Sequence, residues 1–373
     1  MIAPHRLVRE VVRELPLYKT GVSPRLLEAL ASGKPFARLA SNENLHGASP
    51  RVYEAIRSMN ELNLYPDGGN TVVCKALGAH LGVEPDRILV STGSENVLSA
   101  VFQCLLAPGD RFVTVRPTFL MAEIMGRASG ANHVAIDYDD DLEFPIEDLV
   151  EAVRPGAKIL YIANPNNPTG NAFTPDALRT IVHATPEDTL VVLDEAYYEY
   201  TERGESSSGS LALLDACERP YVVLRTFSKA YGLAGLRVGY GVCYHPELVT
   251  LVRRASTIFD VGTLSQAAAL AALADQAHMQ RTVGKTLEEK SRVVAALDEM
   301  GVRLFPSFGN FVSLWFRKRD DAMGLEMALA DRSVFVKALP ARSNEGLVRV
   351  TIGRATDNDL FLSALGPSLE SLK

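Results

Sequence analysis

The sequence predicts a mostly parallel, helix-covered α/β sheet followed by a smaller α+β domain. Three observations carry that prediction. Between residues 87 and 244, seven apolar, β-rich runs alternate with amphipathic stretches. A parallel sheet with crossover helices shows this alternation. From residue 264 the pattern changes to an Ala/Leu-rich helical stretch ending near Met300, then to short β-like segments mixed with helices. The chain, at 373 residues, is also too long for one small core and suits two domains.

In chain order, residues 1–40 read as an N-terminal arm and part of the smaller domain. Residues 41–265 read as the large domain, and 266–373 as the small C-terminal one. Ser23-Pro24, Ser49-Pro50 and Thr174-Pro175 each give a hydroxyl cap followed by proline, a helix-start signal. The predicted strands are 87–91, 111–115, 133–136, 158–163, 190–193, 221–224 and 238–244, and helices are expected over 94–106, 175–183 and 210–216. The Ser-rich stretch 204–210 reads as an exposed loop. In the C-terminal part, 311–316, 334–339 and 347–352 are β-like.

Composition narrows the class. The net charge is −7 and Lys/Arg do not cluster, which argues against a nucleic-acid partner. Four cysteines without a C-x-x-C pair fit reduced thiols of the cytosol. No two of the seven histidines have the H-x-x-x-H spacing, so no metal is expected. The first residues run into charged, helix-like sequence rather than a signal peptide. The longest apolar stretch, 266–274, is too short to span a bilayer. The expectation is a cytoplasmic chain with no membrane partner.

Ligands of parallel sheets gather at the strand carboxyl ends, and the chemistry-bearing residues cluster there. Thr226-Phe227-Ser228-Lys229-Ala230-Tyr231-Gly232-Leu233-Ala234-Gly235 follows an apolar strand and closes on Arg237. A lysine beside hydroxyls on a small-residue turn, with cationic company, suits a Schiff-base amine. Hydroxyl and guanidinium donors suit a phosphate. Asp194-Glu195-Ala196-Tyr197 ends another apolar strand. A carboxylate there needs a cation to offset its burial. A magnesium–nucleotide site would need a Gly-rich phosphate loop ending in Lys-Ser/Thr, and a nicotinamide site a G-x-G-x-x-G after a strand; neither is present. Thr92-Gly93-Ser94-Glu95-Asn96 opens a helix, a place where backbone N–H groups hold anions. Arg349 lies inside an apolar strand, Val348 to Ile352, and its forked guanidinium suits a bidentate grip on a carboxylate.

Together with Asn164-Pro165-Asn166-Asn167-Pro168-Thr169-Gly170, these motifs resemble the class I/II, fold-type I aminotransferases that depend on pyridoxal 5′-phosphate (PLP). The histidinol-phosphate aminotransferase family is the most similar group. Its marks here are Leu15-Pro16-Leu17-Tyr18, Ser41-Asn42-Glu43-Asn44, Leu64-Tyr65-Pro66-Asp67, the Lys229 segment through Tyr240, and Gly309-Asn310-Phe311. The resemblance spans about residues 15–366. It implies the PLP-dependent transferase (aspartate aminotransferase-like) fold, a large domain with a mostly parallel seven-stranded sheet plus a smaller α+β domain.

The resemblance also implies roles. Lys229 carries the cofactor, Asp194 partners its pyridinium nitrogen, and Asn167 and Tyr197 share its 3′-oxygen. Ser94, Glu95, Thr226, Ser228 and Arg237 cradle the phosphate, and Phe119 stacks on the ring. Tyr65 reaches the phosphate in the neighbouring subunit of a homodimer. Arg349 takes the substrate α-carboxylate, and Tyr18, Asn44 and Lys337 complete the substrate site. The implied reaction is transamination between an amino donor and a 2-oxo acid, histidinol phosphate with 2-oxoglutarate. An aromatic or other amino-acid aminotransferase and a PLP-dependent decarboxylase remain open as alternatives. A PLP-sensing transcriptional regulator is disfavoured, because the motif-bearing region begins almost at the N-terminus and the chain is acidic.

Four departures bear on substrate choice. Leu45-His46-Gly47 replaces the family's Pro-Tyr-Gly, and Phe259-Asp260-Val261 replaces Tyr-Asn-Val, bringing a carboxylate toward the site. Lys337 stands near an expected phosphate-binding arginine, and Phe119 lacks the hydroxyl of the commoner tyrosine.

Overall fold

The computed structural model describes residues 3–17, 21, 23–33, 35–139, 141–201 and 209–372. In chain order the strands are β1 (Ala37–Arg38), β2 (Ile88–Ser91), β3 (Arg111–Arg116), β4 (Asn132–Asp137), β5 (Ile159–Ala163), β6 (Leu190–Asp194), β7 (Tyr221–Thr226), β8 (Gly239–Cys243), β9 (Leu304–Phe305), β10 (Phe311–Phe316), β11 (Val334–Phe335), β12 (Lys337–Pro340) and β13 (Gly346–Thr351). Strands β2 to β8 form one seven-stranded sheet, ordered β2-β8-β7-β6-β5-β3-β4. Only β8 runs against its neighbours. The cause is local: the 227–238 connection holds one short 3-10 turn, Ala234–Leu236, instead of a crossover helix. The chain therefore returns antiparallel.

The inner strands are buried on both faces, so they read as continuous apolar runs without alternation. One face, with Val113, Leu160, Val191 and Val223, joins the larger apolar cluster. The other, with Phe112, Tyr161, Val192 and Leu224, packs on the helix Ser94–Leu105. The hydroxyl caps are made: Ser23, Ser49 and Thr174 accept from the Leu26, Arg51 and Ala177 amides.

The C-terminal part builds an antiparallel sheet, β12-β13-β10-β9, around a separate apolar cluster. Two expectations change here and in the large sheet. The predicted 334–339 segment is two strands in different sheets: β11 pairs with β1 and β12 with β13. The crossing at Val336 lets one run serve both sheets. Of the expected exposed loop 204–210, residues 204–208 lie outside the described residues, and Ser210 is instead buried at the start of the expected helix, Ser210–Ala216, where its hydroxyl donates to the buried Glu195 carboxylate. Among the described residues, no helix is long and apolar enough to cross a membrane.

Candidate active site

The parallel strands β3, β5, β6 and β7, with β2, end at the same edge of the large sheet, where a cavity of about 970 Å3 opens toward the C-terminal sheet. Its lining includes Lys229, Asp194, Tyr197 and Asn167, with Ser94, Glu95, Thr226, Ser228 and Arg237 at one end. Phe119, Lys337 and Arg349 line it as well.

Lys229 Nζ donates to the Ser41 carbonyl at 2.9 Å. Burial pushes its pKa down to about 7, helped by Arg349 and Arg237 and opposed by Glu43 and Asp194. The amine is thus substantially neutral near pH 7, as a nucleophile must be. Asp194 is 7% exposed. Burial raises its pKa to about 6, against the hydrogen bonds from Tyr161 and the Ala196 amide. Those bonds measure 2.8 and 3.0 Å.

The Tyr197 hydroxyl accepts from Asn42 Nδ2 at 2.9 Å. Arg349 Nη1 donates to Asn167 Oδ1 at 2.6 Å and Nη2 to the Ala40 carbonyl at 2.7 Å. This bond turns the Asn167 amide so that its NH2 is the free end.

At the other end, Arg237 sits in the left-handed region at φ 50°, ψ 70° and donates to Ser228 Oγ at 3.3 Å. Backbone strain of this kind persists where the surroundings hold it. A Cβ on Gly239 would strike the Ser94 amide nitrogen, and one on Gly93 would lie 2.7 Å from the Arg237 guanidinium. Glycine at both positions brings the helix N-terminus, the serine hydroxyl and the guanidinium together as an anion cradle. A buried amine, a buried carboxylate and an anion cradle lie around one cavity, and a cofactor carrying an aldehyde, a ring nitrogen and a phosphate would fit this donor set.

Three expected residues are not brought to the cavity or described there. Asn44, expected as a substrate contact, is not among the residues that line the cavity. Its amide instead ties the Ala230 carbonyl and Thr282 Oγ1 at 2.8 and 3.2 Å and accepts from the His46 amide. Tyr65 is 82% exposed and stacks on Phe259 at 4.7 Å, outside the cavity of its own chain. Tyr18 lies outside the described residues.

The Asp260 carboxylate does not line the cavity. Its Oδ2 accepts from Ser91 Oγ, the Thr92 amide at 3.1 Å and Asn96 Nδ2 at 3.3 Å, and so clamps the loop behind Ser94. Sequence reasoning gave no role to Asn42, Tyr161 or Arg319. Asn42 lay inside a quoted motif. Tyr161 and Arg319 carried no signal, because one sits mid-strand and the other at a helix start, and only the tertiary fold brings them to the cavity lining.

The model of the family described as aminotransferase class I and II matches residues 34–365. Histidinol-phosphate aminotransferase 2 of Caulobacter vibrioides is 41% identical over 97% of this chain and 94% of that protein. An aromatic amino acid aminotransferase of Cutibacterium acnes is 34% identical over 97% and 98%. Among solved structures, the histidinol-phosphate aminotransferase of Sinorhizobium meliloti in complex with pyridoxal 5′-phosphate superposes with a TM-score of 0.88, at 29% identity and 98% coverage of both chains.

Proposed function

Since the chain belongs to the class I and II aminotransferases and carries their aspartate aminotransferase-like fold, we propose that it is a PLP enzyme transferring the amino group of histidinol phosphate to 2-oxoglutarate. One observation supports an anionic substrate above all. Lys337 and Arg349 are directly opposed partners on β12 and β13, and both line the cavity. Like charges in that register repel unless an anion lies between them. Arg319, at the start of the helix Arg319–Ala330, adds a third cation to the wall. Among the described residues, no carboxylate pairs with Lys337 or Arg319.

In this reading Arg237, Ser228, Thr226, Ser94 and Glu95 hold the cofactor phosphate, Phe119 covers the ring, and Asn167 and Tyr197 donate to its 3′-oxygen. Bound PLP supplies an electron-withdrawing ring that accepts the pair left when the substrate Cα–H bond breaks. Asp194 keeps the ring nitrogen protonated. Lys229 would take the proton from the substrate Cα and later return it, acting as base and then acid. Arg349 fixes the α-carboxylate of the glutamate/2-oxoglutarate pair, and Lys337 with Arg319 offers charge to the phosphate of the other substrate. The enzyme works as a cytoplasmic homodimer. Residues 41–265 hold the cofactor, and 266–373 with the N-terminal arm close over the substrate.

A second reading is an aromatic amino-acid aminotransferase. The Cutibacterium relative and the apolar lining by Leu17, Phe119, Leu339 and Pro340 favour it. The test presents the PLP form with L-histidinol phosphate, L-phenylalanine, L-tyrosine or L-glutamate, and follows loss of the absorbance of the lysine-bound cofactor. Histidinol phosphate is expected to react roughly 100-fold faster than the aromatic donors. Preference for phenylalanine or tyrosine would instead assign the aromatic role. Carbon dioxide release without oxo product would overturn transamination itself.

A further inference from the structure

We propose that Tyr161 is a positioning residue that keeps Asp194 ionised and aimed at the ring nitrogen of the cofactor; this rests on the PLP reading above. Strands β5 and β6 are parallel neighbours, with Ala163 opposite Asp194 and Tyr161 opposite Val192. Side chains two residues apart share a face, so Tyr161 and Asp194 rise from the same side of the sheet, about 7 Å apart along the strand direction. Only a long side chain with a terminal donor spans that offset. The phenol does so, donating to Asp194 Oδ2 at 2.8 Å. Ala163, directly beside the carboxylate, is small and leaves the space above open to the cavity.

Tyr161 is 0% exposed and otherwise packs among Val192, Leu224 and their neighbours. A buried phenol needs one polar partner, and here that partner is the carboxylate. Asp194 Oδ1 receives the Ala196 amide and its backbone carbonyl the Asn164 amide. The two bonds pin the group from behind, and the Tyr161 bond is the side-chain one. A donor to an ionised carboxylate is a charge-assisted bond that favours the charged form.

The other titratable groups around the pair are accounted for. Lys229 faces Asp194 from the loop after β7. Glu195 points away into its ion pair with Arg225 at 2.8 Å. Tyr197 is held by Asn42, and His133 of β4 is engaged with Thr114 of β3 at 2.8 Å. None of these replaces the Tyr161 donor. Without it, the proton shared between the ring nitrogen and Asp194 moves toward the carboxylate, and the ring withdraws electrons less strongly.

The test compares Tyr161→Phe and Asp194→Asn with the native holoenzyme in two readouts besides turnover: the pH midpoint of the absorbance change of the lysine-bound cofactor, and the cofactor dissociation constant. For Tyr161→Phe the midpoint is expected to rise by about half to one pH unit, since a less positive ring raises the basicity of the attached nitrogen. Cofactor affinity should fall roughly tenfold. The kcat should fall about 10- to 100-fold with the donor KM within about threefold. Tyr161→Phe with the native midpoint would overturn the proposal. If Asp194→Asn moves the midpoint and Tyr161→Phe does not, the role of Tyr161 alone fails. If neither variant moves the midpoint or the affinity, the PLP reading of Asp194 fails with it. Should Tyr161→Phe fold poorly, a fluorinated tyrosine at position 161, a stronger donor of nearly native size, must lower the midpoint instead; no shift would refute the idea.

Discussion

Lys229 shows how a single side chain gains its chemistry from its surroundings. Its amine is pushed down to about 7 because burial penalises the ammonium and the Arg349 and Arg237 charges lie near. In the unfolded chain the same amine titrates at its ordinary 10.5. Between pH 7 and 10.5 the unfolded state therefore binds more protons, and this group makes stability rise with pH across that window. Replacing Lys229 by Met is expected to raise the unfolding midpoint of the cofactor-free protein at pH 7 by roughly 2–4 °C. That advantage should shrink toward pH 10. Thermal unfolding of both proteins across pH checks it, and a pH-independent difference would contradict the depressed amine. Asp194 runs the other way: with its carboxyl raised to about 6, its negative charge fades as the medium is acidified.

At the level of elements, the site exists because strands end together and helices begin there. The Ser94–Leu105 helix opens against the cradle, with Gly239 allowing its first amide to approach β8. Helices remote from the cavity contribute through their caps. Thr174 accepts the Ala177 amide at 3.2 Å at the start of Pro175–Ala184, away from the cavity lining. Thr174→Ala is expected to cost about 1 kcal/mol, which is about 1–2 °C in a chain of this length. The kcat should stay within about twofold of native. Urea unfolding and a rate assay decide it. A large loss of activity at native stability would show that this helix acts on the site.

For the whole molecule, the informative residue is one that its own site does not use. Tyr65 is exposed and braced by stacking on Phe259, whose neighbour Asp260 clamps the loop behind Ser94. If Tyr65 serves the partner's site, mixing Tyr65→Ala with Lys229→Ala subunits restores activity. In each mixed dimer, one site then receives a native lysine from one chain and a native tyrosine from the other. Random exchange should restore about a quarter of native turnover. No recovery after demonstrated subunit exchange would place both residues in one chain's site.

The sequence by itself determined the seven strands of the large sheet, the capped helix starts and the cavity residues that follow strands, such as Asp194, Asn167 and Lys229. Each leaves a local trace: buried parallel strands are continuous apolar runs, and turns and caps need Pro, Gly and hydroxyls whatever surrounds them. Only the tertiary structure decided that β8 turns back, that 334–339 divides between two sheets and that Ser210 is buried. It alone also set Tyr161 against Asp194, opposed Lys337 to Arg349 and tied Asn44 into the scaffold. Those outcomes depend on register and on which strands become neighbours. Groups far apart in the chain, such as Asn44 and Thr282, meet through packing that no local pattern encodes.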